Sequence, residues 1–509
     1  LKRFFLLVYS SFHNFKLKAD DMNGIYDVAI IGAGVVGAAI ARNLSQYKLK
    51  IAVIEKEVDV SFGASKANSG IIHAGFHAEP GTLKAKLAAK ANRKFDRLYE
   101  ELDFPFERRG EFMVAFSEED IRILQTYYER GQQNNVPYME LLGRERALEM
   151  EPNLSPDLLG ALHAPTAGII CPYEYCFALI GNAIENGTEL LTGQKVVWIG
   201  KKGDSHFEID TEAGKHLKAR FVINAAGLFA DEIAGYMGIT NFKIQPRKGE
   251  EYLLDRRVGS LVKKVIFPVP TKKSKGMLVI PTVDGPVMVG PTAIDIDVKD
   301  DYSTTREGLK SVFEHAQKMV PSIRTSDIIT SFVGLRPAAT GGDFIIGKTK
   351  IHGFINAAGI QSPGLTASPA IAEMITEILL KEGLTLEADP SFDPQKRKSF
   401  TKVRHLIDDR NYKELEKAIK KDKAYSKLVC RCENVTEAEI VAAVKRGHTT
   451  LDGIKFATRA GTGRCQAGFC TSRILEIIHR ETGLPFEQIT KKGPGSEIVL
   501  KKLEKGGAK

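Results

Sequence analysis

A nearly all-apolar run, YDVAII (26–31), leads straight into GAGVVG (32–37) and then into a helical pattern through Leu44. Such a run suits a strand buried on both faces, as in a parallel sheet. Gly32, Gly34 and Gly37 fit G-x-G-x-x-G where that strand gives way to a helix. The first glycine permits a tight turn, the second lets backbone approach a pyrophosphate, and the third lets the helix pack close to the strand. The free N–H groups and dipole of the helix N-terminus favour a diphosphate. IAVIEK (51–56) reads as the next strand. Glu55 near its end can accept hydrogen bonds from a ribose diol and would repel a 2′-phosphate, which argues against NADP. This strand–turn–helix–strand unit predicts a dinucleotide site and leaves FAD and NAD open.

The 509 residues allow two to four domains. Further strands are expected at FMVAF (112–116), FVINAAG (221–227), EYLLD (251–255), MLVIPT (277–282) and PVMVG (286–290). Residues 82–102 read as one helix. TASPAIAEMITEILLKEG (366–383) reads as another, with Thr366 or Ser368 as N-cap and Gly383 as its stop. Residues 396–427 are polar and Lys-rich, a basic helical linker before a compact module that starts at Leu428. Charge divides there. Residues 396–509 hold 26 Lys and Arg against 14 Asp and Glu, and the body before them is near neutral. A basic tail of this kind is either a solvated surface or a docking face for an acidic partner or anionic lipid. No run of 18 apolar residues predicts a membrane span. Residues 1–21 read as a non-native or disordered extension, with Met22 as the working start.

Four of the six cysteines fall near the C-terminus: Cys430-x-Cys432 and, after 32 intervening residues, Cys465-x4-Cys470. Clustering in a large chain points to a metal site rather than a disulfide framework. C-x-C is tighter than the usual spacing of structural zinc sites, and four thiolates are also the ligand set of a [2Fe-2S] cluster. Cys171 and Cys176 read as ordinary core or loop residues.

GASKANSGIIHAGFHAEPGTLKAKL (63–87), VINAAGLFADEIA (222–234), PTVDGPVMVGPTA (281–293), FVGLRPAATGGDFIIG (332–347) and FINAAGIQSPGLTASPAIAEM (354–374) together resemble the D-amino-acid-oxidase-like flavoproteins. Within these the chain is most similar to glycerol-3-phosphate dehydrogenases and oxidases, then to L-2-hydroxyglutarate dehydrogenases. VCRCENVTEAEI (429–440) and TRAGTGRCQAGFC (458–470) resemble the bacterioferritin-associated-ferredoxin-like [2Fe-2S] domain. The resemblance implies a Rossmann-like FAD-binding domain with an inserted mixed β-sheet substrate domain, α/β and α+β in class, plus a small helical C-terminal [2Fe-2S] domain. FAD-binding segments would lie near 24–100, 165–240 and 330–385, the substrate domain near 101–164 and 241–329, the cluster domain at 428–485 and a basic tail at 486–509.

The resemblance also implies site residues. Cofactor contacts would come from the three glycines, Glu55, Lys56, Ser65, Ser69, Val196, Gly227, Gly359, Gly364, Leu365 and Thr366. The helix after Gly364 would stabilise negative charge on the reduced ring. Removing a hydride from an alcohol leaves a proton for a base, and histidine suits that task. His73 in SGIIHAG matches the family's histidine, with His77 as the nearby competitor. Arg336 in GLRP matches an anion-anchoring arginine, whose planar fork suits phosphate or carboxylate. Lys275 in KSKG is the matching lysine, with Lys272 and Lys273 close beside it, and Ser362 lies near the substrate. Cys430, Cys432, Cys465 and Cys470 would hold the cluster. The activity implied is oxidation of glycerol 3-phosphate, with a 2-hydroxy or amino acid as the alternative. Electrons would pass through the cluster to a protein or quinone-linked acceptor. The expected setting is cytoplasmic, with room for peripheral contact at the inner face of a membrane, and no nucleic acid is expected. A different role for the module, interaction or iron handling without electron transfer, stays open at this point.

Overall fold

The computed structural model describes residues 24–270, 276–398 and 402–501. The chain divides into two compact units, Tyr26–Lys398 and one that starts at residue 399. Met22 and the segment before it lie outside the described residues.

The first unit is built on the predicted turn. β1 (Tyr26–Ile31) leads to α1 (Val35–Leu44) and then to β2 (Ile51–Ile54), which pairs parallel to β1. Side-chain alternation explains the continuous apolar run. Val28 and Ile30 pack toward α1 with Ile51 and Val53, while Ala29 and Ile31 pack on the other face with Ala52 and Ile54. Each fully buried aliphatic side chain contributes about 1.5–3 kcal/mol. Segments distant in sequence complete the sheet, which has eight strands among the described residues. His216–Asn224 pairs parallel to β1, Phe354–Ala358 pairs parallel to it, and Glu189–Leu191 extends the sheet beyond β2. The cofactor domain is therefore discontinuous, as the resemblance implied.

A second sheet, of nine strands among the described residues, forms the substrate domain. Its pairing is antiparallel except where Val265–Pro268 runs parallel to Glu111–Ala115, so it is mixed. One boundary differs from expectation. Ile328–Ala339 belongs to this sheet and not to the cofactor domain. It pairs antiparallel with Ile244–Leu254 from Ile244 opposite Ala339 to Leu254 opposite Ile328.

Two helix readings are also corrected. Residues 82–102 form two helices, Leu83–Asn92 and Phe95–Leu102. The break follows Asn92, whose buried amide donates to the carbonyls of His73 and Thr166. The helix predicted at 366–383 spans Gly364–Lys381, with Pro363 and not Thr366 or Ser368 at its N-cap. Pro369 inside its second turn has no N–H for the Leu365 carbonyl. The Ser368 hydroxyl donates to that carbonyl at 2.9 Å, so the helix continues through the proline.

In the second unit, Leu428–Cys430 pairs with Val435–Thr436, and the helices Glu437–Val444, Leu451–Thr458 and Thr471–Thr482 follow. Thr436 and Glu439 form a capping box at the first of these. The stretch read as a linker also contains helices, Val403–Asp408 and Tyr412–Lys421. Arg404 is buried there and pairs with Glu433 at 3.2 Å, so this part is packed into the cysteine module. Among the described residues no helix is long and apolar enough to cross a membrane.

Candidate active site and cysteine module

The glycine turn is held by contacts too close for side chains. Gly32 has φ +107°, and a Cβ there would lie 2.5 Å from the Ala225 carbonyl oxygen. A Cβ on Gly37 would lie 1.9 Å from the Gly32 carbonyl oxygen. The Glu55 carboxylate locks the turn from β2, accepting the Ala33 N–H at 2.7 Å and the Glu57 N–H at 2.9 Å. Burial pushes this carboxyl up, and the two N–H groups oppose that. The Ser65 hydroxyl accepts the Val35 N–H at 3.0 Å, and a Cβ on Gly34 would meet that oxygen at 3.2 Å. Gly227 opens the turn after His216–Asn224, beside the Ala225 that touches Gly32. Glycines without room for a Cβ, a helix N-terminus and an anchored carboxylate together form a cradle that fits the diphosphate and ribose of FAD.

Two predicted contacts stand apart from this turn. Val196 is buried in the apolar layer with Ala29 and Ile54. Lys56 pairs with Glu57 at 2.7 Å and lies over the Phe229 ring. Lys275, with Lys272 and Lys273, lies outside the described residues.

A second group converges on His73. The Thr366 hydroxyl accepts the His73 backbone N–H at 3.0 Å and donates to the Ile71 carbonyl at 3.3 Å. That tie joins the start of Gly364–Lys381 to the histidine loop. His73 Nε2 lies 3.4 Å from the Ser362 hydroxyl, just ahead of the same helix. Gly359 and Leu365 flank this loop, Gly359 with φ +66° and Leu365 buried. On the other side of the ring, Nδ1 lies 3.4 Å from Glu111 Oε2. His77 Nε2 lies 3.5 Å from the same oxygen. Burial works against charge on Glu111, yet the two imidazoles outweigh it and hold the carboxyl well below its usual range. The ligand atoms of the three residues lie within 4.8 Å of one another.

Arg336 lies on Ile328–Ala339 and is fixed by carbonyls. It donates to Thr292, to Lys248 at 3.3 Å and to Arg247 at 3.4 Å. Among the described residues its Nη1 makes no hydrogen bond, which leaves one edge of the fork for an anion. Burial lowers Arg336 to about 10, so it is a cation throughout the physiological range. Buried Glu251 senses that charge and accepts the Ser69 hydroxyl at 3.1 Å. Burial still pushes Glu251 up to about 7. Sequence reasoning missed Glu111 and Glu251. The available signal was an acid inside an apolar strand pattern, at EFMVA and EEYLL.

The four C-terminal cysteines come together. Cys432 Sγ lies 3.6 Å from Cys465 Sγ, and Cys430 is paired with Cys470 by a side-chain hydrogen bond. The hydrogen bond from Cys470, with the backbone N–H groups of Gly461 and Glu433, holds the Cys430 thiol below its ordinary value. A Cβ on Gly463 would lie 2.4 Å from Cys432 Cβ, so the second ligand loop closes over the first. Paired thiols on two short loops, with N–H groups aimed at sulfur, fit a [2Fe-2S] cluster. Cys171 and Cys176 are buried in the first unit, away from this chemistry.

Comparison with known proteins agrees with both assignments. Residues 27–378 match the FAD dependent oxidoreductase family, and residues 428–480 match the BFD-like [2Fe-2S] binding domain. A glycerol 3-phosphate dehydrogenase of Caloramator mitchellensis is 46% identical over 478 residues, 93% of this chain and 98% of that protein. A solved L-alpha-glycerophosphate oxidase of Mycoplasma pneumoniae with FAD bound is 30% identical, with TM-score 0.71, covering 74% of this chain and all of that one. A mitochondrial L-2-hydroxyglutarate dehydrogenase of Nematostella vectensis is 28% identical, covering 69% of this chain and 90% of that protein. FAD and a [2Fe-2S] cluster are accordingly the cofactors.

Proposed function

The chain belongs to the FAD-dependent oxidoreductase family, and from that premise we propose that it oxidises sn-glycerol 3-phosphate to dihydroxyacetone phosphate and passes the electrons through its cluster. The observation that carries this reading is the 46% identity to a glycerol 3-phosphate dehydrogenase over 478 residues. That alignment is longer than the unit Tyr26–Lys398, so it runs into the cysteine module. The glycerophosphate oxidase, by contrast, is matched over its full length by 74% of this chain. A dehydrogenase with an external acceptor accounts for the difference.

FAD, when bound, supplies a two-electron acceptor for the hydride on C2, and the cluster supplies a one-electron acceptor. The residues of this chain do the rest. Gly32, Gly34, Gly37 and the N-terminus of α1 hold the diphosphate, and Glu55 takes the ribose. Gly227, Gly359, Gly364, Leu365 and Thr366 line the remainder of the cofactor. Arg336 anchors the phosphate of the substrate through its open edge, with Lys275 assisting. His73 Nε2 takes the proton of the C2 hydroxyl, and Ser362 orients that hydroxyl. Four free thiols suit a reducing, cytoplasmic setting, and the basic C-terminal unit suits an acidic acceptor or a membrane-linked one.

Anaerobic addition of substrates to the flavin-loaded protein, read by visible absorbance, tests the substrate. Glycerol 3-phosphate is expected to bleach the flavin. Bleaching by L-2-hydroxyglutarate but not by glycerol 3-phosphate would reverse the assignment.

A further inference from the structure

His73 and His77 are both buried, and both point a ring nitrogen at one oxygen of a buried carboxylate. Glu111 is fully enclosed at the start of the strand Glu111–Ala115. Its Oε1 accepts the Ala74 N–H at 3.0 Å, which fixes the carboxylate plane against the histidine loop. Its Oε2 lies 3.4 Å from His73 Nδ1 and 3.5 Å from His77 Nε2. An ionised carboxylate only accepts hydrogen bonds. The facing His73 Nδ1 must therefore carry a hydrogen. That sets the tautomer of this ring, with His73 as Nδ1–H and a lone pair on Nε2. The Nε2 lone pair faces the Ser362 hydroxyl at 3.4 Å.

From this geometry we infer that Glu111 and His77 are positioning residues that tune His73 as the base. The inference rests on the reading of His73 as the proton acceptor. When the substrate hydroxyl loses its proton, the O–H bond breaks and an N–H bond forms at Nε2. The electron pair left on oxygen becomes the second bond of the new carbonyl, while the hydrogen on carbon leaves as hydride to FAD. The imidazolium so formed has the Glu111 charge on its far side, which raises the basicity of His73. His77 acts in the opposite sense. With its Nε2 3.5 Å from the same Oε2, it draws on the charge that His73 would otherwise have to itself. The pair thus brings His73 toward the operating pH, where a general base works best.

His77 is packed between Phe76, at 4.0 Å between ring centroids, and Phe267, at 4.6 Å. Tyr127 stands 6.3 Å from it, and Arg130 donates to its backbone carbonyl at 3.4 Å. Ser362, Thr366, Phe267 and Asn92, all uncharged, also contact His73.

The test is the pH profile of flavin reduction at saturating glycerol 3-phosphate, measured anaerobically by stopped flow on the full-length, FAD-loaded protein. The rate rises with pH as the base loses its proton. Glu111→Gln removes the charge, so the rising limb is expected to move to lower pH by about one unit or more, with at least a roughly tenfold loss of maximal rate. His77→Phe keeps the aromatic packing and removes the second imidazole facing Glu111, so the limb is expected to move to higher pH. Structural damage alone would lower FAD content or rate without moving the two limbs apart. Unmoved limbs, or limbs that move in the same direction, overturn the inference. If Glu111→Gln does not load FAD, His77→Phe decides alone: an upward shift supports the inference and an unchanged profile overturns it. His73→Asn separates the two readings. Its expected loss of flavin reduction is about 10²–10⁴-fold. Retention of the full rate would remove His73 as the base, whereas that loss with an unmoved Glu111→Gln profile would remove only the tuning.

Discussion

Single residues in this protein carry opposite demands, and Glu251 illustrates them. Its carboxyl is pushed from 4.5 up to about 7 by burial, against the pull of the Ser69 hydroxyl and the Arg336 charge. The folded protein therefore keeps a proton that the unfolded chain releases between those values. This contribution to stability is fully present below pH 4.5 and is lost as pH rises through 7. Glu251→Gln removes the titration. Its stability relative to the parent is expected to rise with pH, by about 3 kcal/mol between pH 4 and pH 8, checked by denaturant melts across that range. Gly37→Ala is the converse case, since the added methyl would lie 1.9 Å from the Gly32 carbonyl oxygen. It is expected to cost about 1–3 kcal/mol and to abolish FAD loading, read from the visible spectrum of the purified protein. The glycine turn was legible because its constraint is local: a positive φ and close approaches within a few residues demand glycine. Glu251 and Glu111 were not legible. Their partners Ser69 and His73 lie 182 and 38 residues away, and only the fold brings them together.

At the scale of elements, the helix Gly364–Lys381 is tied to the His73 loop. Its first turn supplies Thr366 to hold the His73 backbone, and its proline is tolerated because Ser368 serves the Leu365 carbonyl. Thr366→Val would leave the His73 N–H buried without its acceptor. It is expected to cost about 1–3 kcal/mol in denaturant melts and to slow flavin reduction more than it weakens substrate binding. Periodicity located this helix but misplaced its cap. Thr366 and Ser368 are good cap residues in isolation, and here both hydroxyls are committed to other backbone groups. The strand Ile328–Ala339 was assigned to the wrong domain for a related reason. Neighbouring motifs in sequence suggested the cofactor domain, whereas its long register with Ile244–Leu254 carries Arg336 into the substrate sheet.

For the molecule as a whole, two cofactor-bearing units in one chain imply a division of labour. The cysteine spacing marked out the second unit, but its extent was hidden. Arg404 lies 26 residues before Cys430, yet it shares buried Glu433 with Arg459, at 3.2 and 3.0 Å. Arg404→Ala is expected to destabilise the unit by about 3–5 kcal/mol and to lower iron content, measured by iron analysis beside FAD content. The most direct test of the whole account is one anaerobic mixing experiment on the fully loaded protein. Glycerol 3-phosphate is added, flavin absorbance is followed, and samples frozen in time are read for the paramagnetic signal of the reduced cluster. Flavin bleaching is expected first, then a cluster signal that grows at a rate compatible with turnover and disappears when an electron acceptor is supplied. A flavin that bleaches while the cluster stays oxidised, with acceptors still reduced at the full rate, would rule out the passage of electrons through the cluster.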